Sequence, residues 1–165
     1  MASKNLLRYG SLTAAGAVLA FLLGAQAPLG QLIWPADPTA PEPTSGQLVG
    51  FMLYGAYEAV AFGLGLVVVA MLVLELRRNP RAPRGATAAV ISLGWLLLSW
   101  VPHDNLHQMV GMDLAGLLAL EWTFHSTLIL ATFVVARFIY QRLRGAGQPT
   151  QSPQPARIDR VAVKG

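Results

Sequence analysis

Four long apolar stretches divide the chain, at about residues 9–33, 48–76, 86–101 and 114–140, with short polar links between them. The third continues through His107 if the polar residues after Val101 are tolerated. A bilayer core is about 30 Å thick and needs about 20 apolar residues in a helix. Each stretch therefore predicts a membrane-crossing helix. Together they predict an all-α, integral membrane four-helix bundle with short loops over residues 1–144. The link at 34–46 holds Pro35, Pro38, Pro41 and Pro43, and is expected to be extended and polyproline-like. The segment 145–165 is rich in Gly, Pro, Gln and basic residues and is expected to be a disordered, basic C-terminal tail.

Small residues recur at four-residue spacing in the first two stretches: Gly16, Ala20 and Gly24 in one, Gly55, Ala59 and Gly63 in the other. Such stripes let helix backbones approach closely in lipid. They predict either that spans one and two meet there or that one stripe forms a homodimer contact. Trp95, Trp100 and Trp122 read as membrane-interface or packing residues.

Composition narrows the class. Charged residues make up 12% of the chain and hydrophobic ones 54%. Soluble domains carry about 25% charged residues. An ordinary soluble enzyme, a nucleic-acid binder and a disordered protein are thus poor readings. The absence of cysteine removes disulfides, thiolate metal sites, iron–sulfur clusters and covalent c-type haem. The net charge of +4 is a matter of topology. Lys4 and Arg8 precede the first stretch, Arg77, Arg78, Arg81 and Arg84 fill the second link, and Arg137, Arg142, Arg144, Arg157, Arg160 and Lys164 close the fourth and follow it. The other two links hold no Lys or Arg. Both termini and the Arg-rich link are expected on the cytoplasmic side of a cytoplasmic-type cell membrane. Anionic-lipid binding is a weaker use of that link. The start of the chain also resembles a signal peptide, with Ala25-Gln26-Ala27 as a cleavage-like triplet. Pro28 and the continuing apolar run through Ile33 favour retention.

Polar residues inside the stretches carry the candidate chemistry. Glu58, Glu121 and His125 lie well within them, and His103, Asp104 and His107 stand at the outer end of the third. Ionisable groups in hydrocarbon cost about 2.5–3.5 kcal/mol on insertion scales, so they normally face an interior and pair. His103 and His107 are i, i+4, as are Glu121 and His125, which puts each pair on one helix face. At about 1.5 Å rise per residue, Glu58 and Glu121 share a level roughly 6 Å outward of the midplane. One polar column opening to the extracytoplasmic side is expected.

Imidazole and carboxylate at this spacing suit zinc, copper, iron or manganese. Met109 and Met112, as secondary ligand candidates on an oxidising face, favour copper. Asp104 is a further candidate, as a cap or an imidazole-orienting group. A non-covalent haem between His125 and His103 or His107 needs strong tilt, because the levels of His103 and His125 differ by about 10 Å. A plain interfacial position for His103 and His107 and a protonated, hydrogen-bonded Glu58 are the bland alternatives. The leading expectation is a small membrane protein binding a transition metal through His103, His107, His125, Glu121 and Glu58. The alternatives are an accessory subunit of a larger membrane complex or a homo-oligomer, and a proton relay or proton-coupled small transporter. No phosphate loop, nucleophile elbow or H-E-x-x-H signature is present.

Overall fold

In the computed structural model the described residues are 2–25, 27–42, 44–80 and 83–146. Met1, Gln26, Pro43, Arg81, Ala82 and residues 147–165 of the tail expected at 145–165 lie outside them, while residues 145–146 belong to the last helix. The fold is all-α, with five α-helices among the described residues: α1 (Ala2–Leu23), α2 (Ser45–Arg78), α3 (Arg84–Leu98), α4 (Trp100–Val110) and α5 (Leu114–Ala146). Three of them, α1, α2 and α5, are long and apolar enough to cross a membrane. A fourth crossing exists if α3 and α4, bent by 43°, form one broken span.

The helix ends follow local chemistry. α1 stops at Leu23, short of the end of its apolar stretch. Pro28 lacks an N–H and disfavours helical backbone before it. Gly30, in the short 3-10 turn Gly30–Leu32, lies against the carbonyl of Gly24, where a side chain would collide. α2 starts behind Thr44, whose backbone N–H (3.0 Å) and hydroxyl (2.9 Å) both donate to Gln47 Oε1. Its 34 residues measure about 51 Å, more than a bilayer core, so it must tilt or protrude. The break between α3 and α4 sits at Ser99, three residues before Pro102. Proline removes the bond to the carbonyl of Leu98 and its ring crowds that carbonyl. α4 ends at Gly111, whose φ of 58° suits glycine. Asp113 then caps α5, accepting from the N–H groups of Ala115 and Gly116 at 3.2 Å each.

The long helices pack as a row, α1 on α2, α2 on α3, and α3 on α5, with α4 bridging α2 and α5. α1 and α5 share no extensive interface among the described residues, so the row is more open than a closed bundle. The two glycine stripes do meet: a Cβ on Gly16 would lie 2.9 Å from Gly63 Cα, and one on Gly63 would strike the Thr13 carbonyl. Ala20 and Ala59, one turn along each helix, are buried. Trp95 Nε1 donates to Thr127 Oγ1 at 3.2 Å and ties α3 to α5. Large apolar side chains such as Phe51, Leu53, Ile129 and Phe133 remain exposed, a surface that suits lipid and not water.

The link at 34–46 is not simply extended. Asp37 N–H donates to the Gln108 carbonyl (2.9 Å), and Met112 N–H donates to Thr39 Oγ1 (3.1 Å). The link is pinned across the end of α4 because that helix end and its turn leave backbone groups without helical partners.

Candidate metal centre

The turn at Gly111–Asp113 folds α4 back against α5, so the His103–His107 face meets the Glu121–His125 face. All three histidines of the chain converge on the Glu121 carboxylate. His107 Nε2 lies 2.8 Å from Oε1, and His125 Nδ1 lies 2.9 Å from Oε2. His125 Nδ1 also faces the Glu121 backbone carbonyl at 3.0 Å, which marks it as the protonated nitrogen. His103 Nε2 is 3.8 Å from Oε1, too far for a hydrogen bond, and this buried nitrogen has no partner.

Aromatic packing holds the His103 ring in place. It stacks on Phe124 with centroids 3.6 Å apart and an interplanar angle of 12°, and Trp100 meets the same phenyl edge-on at 5.0 Å. The His103 and His107 rings stand perpendicular, 4.6 Å apart. His103 and His125 have centroids 6.1 Å apart, closer than the 10 Å level difference read from straight spans. The bend at Ser99 accounts for this, since it turns α4 across the level of Glu121.

His103, His107 and Glu121 each offer a ligand atom, and the three atoms lie within 4.8 Å of one another. His103 and His107 Nε2 lie 3.8 and 2.8 Å from Oε1, separations that two ligands each bonded at about 2.0–2.2 Å to one ion can span. The unpartnered His103 nitrogen fits a metal better than a closed hydrogen-bond network, which would leave no such atom. Side-chain exposure rises from 13% at His103 through 31% at His107 to 58% at His125, so the centre opens toward His125.

The remaining candidates stand apart from this triad. Glu58, 4% exposed, lines a cavity between α1, α2 and α4 together with Asp104. The expected single column is thus two polar groups on adjoining faces of α4, with Asp104 and His107, i and i+3, at the border between them. Met109 lies on the surface of α4, and Met112 is in the turn with its N–H on Thr39. Neither belongs to the triad. Sequence reasoning missed Phe124 and Asn105. Phe124 gives no signal beyond its position before His125. Asn105, a buried amide in an apolar protein, is the kind of residue expected to bond between helices, and its Oδ1 accepts from Ala25 N–H at 2.7 Å.

Protein-family models, curated proteins and solved structures give no match to this chain. The functional reading therefore rests on the geometry.

Proposed function

We propose that this is a multi-pass membrane protein that binds a transition metal ion through His103, His107 and Glu121. In this reading α3 and α4 together form the third of four spans, both termini are cytoplasmic, and the centre faces the extracytoplasmic side. The observation that carries it is the convergence of two imidazoles and one carboxylate within the reach of a single ion, one imidazole nitrogen being buried without a partner. His125 acts on the carboxylate, holding Oε2 so that Oε1 faces the two imidazoles. Three protein ligands leave at least one coordination position for water or an exchanging ligand, as in sites that act on or hand over what they bind. Copper is the first choice, because the nitrogen and oxygen set here favours Cu(II) over the other divalent first-row ions. Zinc follows.

The test is elemental analysis of detergent-purified protein after loading with copper, zinc or iron. One equivalent of bound metal is expected in the wild type, and a strong loss in His107→Ala and Glu121→Ala. Absence of stoichiometric metal under every loading condition would overturn the proposal.

One observation favours a second reading. His107, Glu121 and His125 form an unbroken chain of short polar contacts, 2.8 and 2.9 Å, which is the geometry of a proton relay. Proton flux into liposomes that is abolished in Glu121→Gln while metal stoichiometry is negligible would establish that reading instead.

A further inference from the structure

The other face of α4 forms part of a second site. A cavity of about 410 Å³ lies between the end of α1, the first half of α2 and α4, a size usual for small-molecule sites. Its walls are largely apolar, with Phe21, Phe51 and Met52 among them, and Tyr54, Glu58, Asp104, Asn105 and Gln108 are its polar residues. Glu58 is 4% exposed, and neither it nor Asp104 has an ion-pair partner among the described residues. Among the described residues every Lys and Arg falls in 4–8, 77–84 or 137–144, and none of them lines the cavity.

Asn105 supplies the independent sign of a ligand. It is 4% exposed, and its Oδ1 accepts from Ala25 N–H. That bond fixes the amide, because a flipped amide would set N–H against N–H. Nδ2 is consequently a buried donor with no acceptor. An unmade buried hydrogen bond is destabilising by about 1–3 kcal/mol, so such a donor calls for an occupant.

We infer that the cavity binds an amphipathic amine: an ammonium between Glu58 and Asp104, an adjacent hydroxyl or ester oxygen on Asn105 Nδ2, and an alkyl chain along the apolar wall. The carboxyls select a cation over an alcohol or a fatty acid, the amide requires an oxygen beside the nitrogen, and the apolar wall requires a tail. The same chemistry is offered by a free amino-alcohol amphiphile and by an ethanolamine phospholipid. The inference does not use the metal centre and survives its failure.

The test is isothermal titration of 2-(dodecylamino)ethanol into the full chain in dodecyl maltoside micelles, with protein-free micelles as baseline. One saturable equivalent is expected, with dodecanol and dodecanoate bound much more weakly. Glu58→Gln and Asp104→Asn should each weaken binding about tenfold or more. Gly55 lines the cavity and a Cβ there would meet nothing within 4 Å, so Gly55→Leu should fill the space and block binding while both acids remain. Competition by added phosphatidylethanolamine would identify the lipid as the source, and its failure to compete would identify a free amine. Dodecanol binding as tightly as the amine, or undiminished binding in Asp104→Asn and Gly55→Leu together, would overturn the inference.

Discussion

Replacing Glu121 by glutamine is the sharpest perturbation of the proposed centre, because it keeps the shape and removes the charge. The carboxylate now faces His107 at 2.8 Å and His125 at 2.9 Å. A charge-assisted hydrogen bond contributes about 1.5–3 kcal/mol and a neutral one about 1 kcal/mol. Glutamine has one oxygen, so it keeps one neutral bond and turns an NH2 toward the other imidazole. The side chain is 39% exposed, and solvent screening moves the loss toward the lower end. The His107 bond is given up when a metal takes Oε1 and Nε2, so the metal's loss is set by the ligand itself: a neutral amide in place of a charged carboxylate should hold the ion roughly 100-fold more weakly. At a free metal concentration of 100 times the wild-type Kd, the wild type gains about 2.7 kcal/mol from binding. At the same concentration the variant sits near its own Kd and gains only about 0.4 kcal/mol. Thermal scans in maltoside micelles should then show metal raising the wild-type Tm by about 5–10 °C and the variant by about 1 °C. Glu75→Gln, at the exposed C-terminal end of α2, should respond like the wild type. An equal metal-induced rise in wild type and Glu121→Gln would refute the assignment of the carboxylate as a ligand.

Three other outcomes are expected. Gly63→Val should push α1 away from α2, since even a Cβ there strikes the Thr13 carbonyl, and lower stability by about 1–3 kcal/mol in chemical denaturation, whereas Gly55→Ala should be close to neutral. Pro102→Ala should reduce the 43° bend and weaken metal binding about tenfold without touching a ligand, as measured by equilibrium dialysis. In the 34–46 link, the hydroxyl and N–H of Thr39 donate to Asp37 and hold its carboxyl below its usual pKa of 3.8. A group whose pKa is depressed in the folded state contributes above its unfolded pKa and ceases to as pH falls through the folded one. Protection of the Asp37 and Met112 amides against exchange, relative to the free amide at the same pH, should therefore hold at neutral pH and drop only below about pH 4, and Asp37→Asn should abolish that pH dependence.

The membrane-length helices were legible because hydrophobicity is a bulk property of a segment. About 18 or more predominantly apolar residues leave a helix few other places to go. The Gly16–Gly63 approach was legible for a related reason, since a four-residue spacing of small side chains survives any rotation of the helix. The bend at Ser99 was only half legible. Pro102 announces a break, but its angle depends on what α4 packs against, and that is tertiary. Straight spans therefore gave the wrong separation for His103 and His125. The docking of the 34–46 link was invisible, because its partners are backbone atoms of Gln108 and Met112 that no side-chain pattern encodes.

Glu58 shows most clearly where one-dimensional reasoning stops. Depth along a helix axis places it level with Glu121, and both are acids in oil, so a shared centre follows if depth is the only coordinate. Direction around the axis decides otherwise. Consecutive residues of a helix point about 100° apart, so His103 and Asp104 cannot serve the same neighbour. His103 and His107 turn to α5, while Asp104, Asn105 and Gln108 turn to α1 and α2, where Glu58 waits. α4 is thus packed on two sides with different chemistry, imidazole on one and carboxyl and amide on the other. A helix so polar would be a poor membrane span if it faced lipid. Between α2 and α5 it is shielded, and its polar groups meet partners on one side and a cavity on the other. The 43° bend between α3 and α4 lays α4 into that position, so in the proposed four-span arrangement the backbone break and the polar residues are a single feature of the fold.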